Sequence, residues 1–209
     1  MSDYEIPRPV SGDVVELILQ DHQLFEHLLR ECRRTDADRA DARTALAEVL
    51  IAHEVAEEEK VYPTLKRRAE DITEHEAEHG EEEHAEINEA LLAFLRARGT
   101  DTQKYDDALE DLATVVNHHT NEEEQTILNP AREEVALETR ERLGVDWLTR
   151  RNALLEQGCA SEEQVAALID EAVAEGTLAP AEAREEAEQV KAEAKERAEE
   201  IEEAAKRDG

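Results

Sequence analysis

Two stretches of this chain, sixty-six residues apart, repeat one pattern, and each places a charge where an amphipathic helix normally turns apolar side chains inward. In the first, Leu46, Val49 and Leu50 lead to His53, Glu57 and Val61; in the second, Leu112, Val115 and Val116 lead to His119, Glu123 and Ile127. Both copies read His-x-x-x-Glu, run into further acidic residues and meet a proline shortly beyond. Residues four apart share a helical face about one turn from each other, so both side chains of a pair can reach one ion. His118 and Glu122 offer the same spacing. Seven residues before His118, however, stands Asp111, where the inward stripe needs an apolar side chain. His119 has Leu112 there, which selects His119 with Glu123.

The rest of the chain supplies partners for these two helices. A stripe of Val14, Ile18, His22, Phe25, Leu29 and Cys32 predicts a helix capped by Ser11 and running to about Arg34. The first repeat predicts a second helix from about Asp38 that loosens at Pro63. His84, Ile87, Leu91 and Leu95 mark a third, from about Ile72 to Arg98 and stopped by Gly99. The second repeat gives a fourth, from about Thr102 to Asn129 and Pro130. Strand signals are almost absent. With short connections between long helices, the expected fold is all-α, an up-down-up-down four-helix bundle over residues 11–135. Residues 1–10 form a leader and residues 136–209 a helical C-terminal extension. In that extension a helix interrupted near Gly144 closes at Gly158, and Ser161 caps another that ends at Gly176. A last helix from Pro180, with a weak stripe of Ala187, Val190, Ala194, Ala198 and Ile201, is read as an arm or as a self-association seam for a homo-oligomer.

Composition removes several classes of function. With 55 acidic against 24 basic residues the formal charge is −31. Such a chain lacks the clustered cations that displace counterions from nucleic-acid phosphates, and an anionic membrane surface repels it. No apolar run approaches the ~20 residues of a membrane span, and MSDYEIPRPV lacks the apolar core of a signal peptide. Cys32 and Cys159 form no CxxC pair and read as buried small hydrophobes. The expected setting is cytoplasmic.

At ~1.5 Å per residue, His22, His53, His84 and His119 fall within about two turns of one height in the bundle. Four imidazoles and two glutamates thus converge inside an apolar core. An isolated buried carboxylate costs several kcal/mol or takes up a proton. Two divalent or trivalent cations remove that cost, and imidazole with carboxylate suits iron, manganese or zinc. Glu57 and Glu123, from related helices, are placed to bridge the two ions. Glu54 and Glu58 lie about 100° and 140° around the helix from His53 and are read as exposed acids. His27, His75 and His118 point away from the stripes.

DH at 21–22, HEVAEEEKVYP at 53–63, EEEHAEI at 81–87 and HHTNEEEQTILNPAR at 118–132 resemble the hemerythrin-like HHE cation-binding domain. The resemblance covers about residues 11–135. It implies a non-haem centre of two iron ions (Fe2+/Fe3+), oxo- or hydroxo-bridged, with His22, His53, Glu57, His84, His119 and Glu123 at the ligand positions. Oxygen-carrying hemerythrins have a second histidine one turn from the third-helix ligand, and here those places are Gly80 and Asn88. The resemblance therefore implies reaction with a small oxidant (O2, H2O2 or NO), as a peroxidase or catalase-like oxidoreductase in an oxidative-stress response. Its alternative is an iron-binding or oxygen- or iron-sensing module without turnover.

Overall fold

The computed structural model describes residues 4–70, 72–180 and 183. Helix α1 (Val14–Arg33) begins at Asp13, whose carboxylate accepts the Val15 N–H. Ser11, expected as the cap, lies outside the helix and exposed. Asp13 has the advantage of full charge, and it also receives the Arg140 guanidinium from a later helix. Helix α2 (Arg39–Lys60) starts from Asp38 as expected and gives way to the short α3 (Tyr62–Leu65), which holds Pro63 in its first turn, where a missing N–H is tolerated. Helix α4 (Glu74–Arg96) opens on a capping box between Thr73 and Glu76. It stops two residues short of the predicted Arg98, ahead of Gly99 at φ +74°.

Helix α5 (Gln103–Glu123) is capped by Thr102 and does not run unbroken to Pro130. A π-helical turn spans Glu124–Leu128, closed by the Asn129 N–H on the Glu124 carbonyl, and α6 (Asn129–Glu134) follows with Pro130 in its first turn. The wide turn absorbs the donor and the space that Pro130 denies to a regular helix.

Helices α1, α2, α4 and α5 pack in a ring, α1 on α2 and α5, α4 on α5 and α2, and make the four-helix bundle. No strand is present among the described residues. The predicted stripes of the four bundle helices are buried, Leu95 and Val115 only partly so. The interior divides into two apolar clusters. One is built on Phe25, Leu46, Leu50, Ile87, Leu91, Leu112 and Val116, the other on Ile18, Val61, Tyr62, Ile127, Leu128 and Trp147. Histidines and glutamates occupy the layer between them.

Helix α7 (Leu137–Gln157) lies across α1 and α2, and α8 (Glu162–Glu175), capped by Ser161 and closed by Gly176, packs on α4. The interruption expected at Gly144 does not occur, and α7 passes straight through it. The glycine serves a close approach instead. A Cβ there would lie 2.1 Å from the Gly12 carbonyl oxygen. The leader is held in place as well, with Arg151 donating to the Pro7 carbonyl and Asn152 to that of Pro9. Arg150 forks onto Glu59 of α2 at 2.7–3.1 Å. The helix predicted from Pro180 onward, with its self-association stripe, falls outside the described residues. Among the described residues no helix is long and apolar enough to cross a membrane.

The Gly144 contact gives the first prediction. Gly144→Ala forces α7 away from the leader and costs about 1–3 kcal/mol despite the better helix propensity of alanine. In a thermal melt this appears as a Tm lower by several degrees.

Candidate metal centre

The four stripe histidines come from four different helices, His22 on α1, His53 on α2, His84 on α4 and His119 on α5, and their rings meet in the layer between the two apolar clusters. The ring centroids of His22 and His53 are 5.4 Å apart and those of His84 and His119 4.5 Å. All four are buried, as are Glu57 and Glu123. The donors fall into two groups, His22, His53 and Glu123 in one and Glu57, His84 and His119 in the other. Each carboxylate also touches the other group. Glu57 Oε2 lies 3.3 Å from His53 Nε2 and 3.7 Å from His84 Nε2, while Glu123 Oε2 lies 3.2 Å from His22 Nε2 and 3.9 Å from His119 Nε2.

Every one of the four imidazoles is oriented by a carboxylate on its far side. Nδ1 of His22 bonds to Glu124 at 3.0 Å, that of His53 to Asp21 at 3.3 Å, that of His84 to Glu58 at 2.7 Å and that of His119 to Glu83 at 3.0 Å. A carboxylate can only accept, so it fixes the proton on Nδ1 and turns the Nε2 lone pair inward. The inward atoms then lack protein partners. His22 Nε2, His53 Nε2, both oxygens of Glu57 and Oε2 of Glu123 make no hydrogen bond. Nε2 of His84 faces Nε2 of His119 at 3.1 Å, two acceptors in contact unless a proton or a cation lies with them.

Without a cation, protons must do that work. Burial lowers the His53 pKa, but the Glu57 and Asp21 carboxylates outweigh it and hold the group at about 10. His84 is likewise pulled down by burial and raised by Glu58 to about 9. Burial and the charge of His84 depress His119 to about 4. Burial and the neighbouring Glu123 lift Glu57 to about 7. For Glu123 burial acts upward too, but the adjacent His22 ring and the charges of His119 and His53 keep the carboxyl well below its usual range.

The orienting acids include residues that periodicity did not mark. Glu58, read as exposed, reaches His84, and Glu54, also read as exposed, is only 2 % exposed with neither oxygen hydrogen-bonded. Burial raises the Glu54 carboxyl to about 8. It lines a cavity of about 230 Å³ with Glu58, Glu81, Asn88, Leu168 and Glu171. Asp21 is gripped by Arg151, Nε to Oδ2 at 2.6 Å and a terminal nitrogen to Oδ1 at 2.7 Å. Arg151 is 1 % exposed and comes from α7, in the extension. A signal for it existed in the sequence, since Leu143, Trp147, Arg151 and Leu155 step by four along one face. Trp147 meets the His53 ring edge-on at 5.5 Å and Phe25 meets it at 4.9 Å.

Gly80 does not leave a hole. Tyr62 fills the space beside it, its hydroxyl donating to Glu123 Oε1 at 3.2 Å and its ring stacked on His84. A Cβ at position 80 would lie 2.9 Å from that hydroxyl oxygen. His79 turns outward, toward Glu83 and Glu122, and His118 does the same, while His27 and His75 are exposed.

Four inward imidazole nitrogens around two carboxylates, with three of the four carboxylate oxygens unpartnered, are a donor set for cations. A family model of the hemerythrin HHE cation-binding domain matches residues 13–131, the stretch from the cap of α1 into α6. The chain belongs to the hemerythrin HHE family. No curated protein and no solved structure matches it. Membership in the hemerythrin HHE family and the paired His and Glu groups agree on metal binding. The residues present fit metal ions, because the orphaned Nε2 and Oε atoms are the softer nitrogen and harder oxygen donors that iron accepts together.

Two predictions follow from this geometry. Arg151→Met leaves Asp21 charged and buried without its partner, and urea unfolding is expected to show a loss of about 3–5 kcal/mol. In the metal-free protein His53 and His84, with pKa values of about 10 and 9, hold their second protons at pH 7.5. A metal must displace them, so loading with a divalent ion releases about two protons per chain and affinity rises with pH between 6 and 9. Titration calorimetry in buffers of different ionisation enthalpy measures the release.

Proposed function

We propose that this protein is a non-haem di-iron protein that binds and reduces a small oxidant, O2, H2O2 or NO. His22, His53, Glu57, His84, His119 and Glu123 would hold the two ions. The observation that carries this is the uniform outward anchoring of four Nδ1 atoms, which leaves four Nε2 atoms facing two carboxylates of which only one oxygen, Glu123 Oε1, has a donor. In that arrangement residues 11–135 are the metal-holding unit and residues 136–209 an extension that braces it through Arg151.

Two irons held by these residues would supply electrons, by cycling between ferrous and ferric states, and coordination positions for the oxidant. The chain does the rest. Glu58, Asp21, Glu83 and Glu124 keep the imidazoles strongly donating, which favours the ferric state. Phe25, Trp147, Ile18 and Val116 keep bulk water from the layer. Burial and the nearby carboxylates raise the Tyr62 phenol far above its ordinary pKa, so it stays protonated and presents an O–H where the third-helix histidine of an oxygen carrier would lie. A hydrogen-bond donor that keeps its proton beside the centre suits stabilising the charge that builds on an oxygen atom during reduction of peroxide.

The test is metal analysis of the isolated full chain, with optical spectra before and after peroxide. About two irons per chain, the absorption of an oxo-bridged ferric pair and consumption of H2O2 are the expected results. His53→Ala combined with His119→Ala should abolish both iron and spectrum. Iron with no turnover would sink the oxidant-reducing reading in favour of a sensing module. Unchanged metal content in the double variant would sink the site assignment.

A further inference from the structure

One residue out of register with Gly80 and His84 on α4, and with His119 and Glu123 on α5, stands a second set of His-x-x-x-Glu pairs. His79 and Glu83 stand on α4, His118 and Glu122 on α5. The offset rotates them by about 100° around each helix, from the core to the rim of the α4–α5 seam. There they meet. His79 Nε2 lies 3.4 Å from Glu122 Oε1 and 3.9 Å from Glu83 Oε1. His118 Nε2 lies 3.5 Å from Glu83 Oε1 and 3.4 Å from Glu122 Oε2. Donor atoms of His79, Glu83 and Glu122 all fall within 4.8 Å of one another.

These separations exceed those of good hydrogen bonds, which are about 2.7–3.2 Å. They lie near the donor–donor separation around zinc, about 3.4 Å for metal–donor bonds of about 2.1 Å; His79, Glu83 and Glu122 already share one place, and the exposed His118 ring contacts the other oxygen of Glu122. A solvated cluster of acids and histidines has no need of such spacing, and two features set this one apart. Glu83 is buried, and its Oε1 faces the cluster with no hydrogen bond while Oε2 accepts from His119. A cavity of about 80 Å³ opens beside it, lined by His79, Gly80, Glu83 and Glu122 and reaching Glu123 at its inner end.

We propose that His79, Glu83 and Glu122, with the exposed His118 ring turning in as the fourth donor, form an outer metal site that takes one divalent ion of the zinc class. Two imidazoles and two carboxylates neutralise the ion's charge and satisfy its preference for four mixed nitrogen and oxygen donors. Glu83 belongs to both sites at once. One oxygen faces the outer ion and the other orients His119 of the buried centre, so the carboxylate links the two across a single side chain.

The full chain, loaded with iron and then dialysed against Zn2+, is compared with its His79→Ala/His118→Ala variant, iron and zinc being counted in the same samples. Both histidines are substantially exposed, at 41 % and 66 %, so the variant is expected to fold, and circular dichroism checks this. The wild type should retain about one zinc per chain more than the variant, with equal iron. Cobalt in place of zinc should give intense tetrahedral absorption in the wild type and none in the variant. Glu122→Gln should weaken Zn2+ binding at least about tenfold. Equal zinc retention and equal cobalt spectra in wild type and variant would overturn the outer site. Loss of iron from both samples would instead count against the buried centre, so the two failures are distinguishable.

Discussion

A buried carboxylate short of hydrogen bonds is among the costliest groups a helical interior can contain, and the layer at mid-height of this bundle contains two, Glu57 with none and Glu123 with Tyr62 alone, surrounded by imidazoles whose outward nitrogens are already engaged. Glu57 is fully buried with both oxygens unpartnered. Its position is tolerable only with positive charge close by, and the fold arranges for that in one direction. From the rim inward each radius runs carboxylate, imidazole, carboxylate: Glu58 to His84 to Glu57, Asp21 to His53 to Glu57, Glu124 to His22 to Glu123, Glu83 to His119 to Glu123. Reversing any one ring would put its Nδ1 toward the centre and break the outer bond. The outer acids therefore decide the chemistry of the inner nitrogens, and the two apolar clusters above and below decide how dry the layer is.

The C-terminal extension enters this chain of charges at its most buried point. Asp21 would be an unpaired buried anion were it not for the Arg151 guanidinium, which grips both its oxygens and also donates to the Pro7 carbonyl of the leader. One side chain of α7 thereby joins the leader, α1 and, through Asp21, the His53 imidazole of α2. The Gly12–Gly144 contact lets α7 come close enough for that reach. Such a buried ion pair contributes little net stability over an apolar replacement of both partners. Its value lies in geometry, because it sets which way His53 faces.

Most of the bundle was legible because one period governs it. The stripe of each helix is long, each stripe has a histidine at the same height, and the repeat between the second and fourth helices fixes which of His118 and His119 faces inward. The six residues expected to converge do so. What periodicity missed lay off the stripe or outside its logic. Glu58, Glu83 and Glu124 sit at the edges of helix faces, where a solvated acid and a hydrogen-bonded one have the same sequence. Arg151 did carry a signal, a charge in the middle of an apolar stripe, but its partner Asp21 is 130 positions away. Helix ends followed capping strength over position, hence Asp13 in place of Ser11. Gly144 was misread as a break because the backbone that demands a glycine belongs to the leader.

Gly80 shows how one small residue redirects the chemistry of the layer. Where a histidine one turn before His84 would add a fifth imidazole, the missing side chain admits the ring of Tyr62 from the start of α3. An imidazole at that place would donate a lone pair; a phenol held protonated donates a hydrogen bond, and its acceptor here is Glu123. The substitution therefore changes more than the donor count. It exchanges a nitrogen lone pair for an O–H that donates to Glu123. Any alanine-sized side chain at position 80 would push the tyrosine back, so the glycine and the phenol act as one feature.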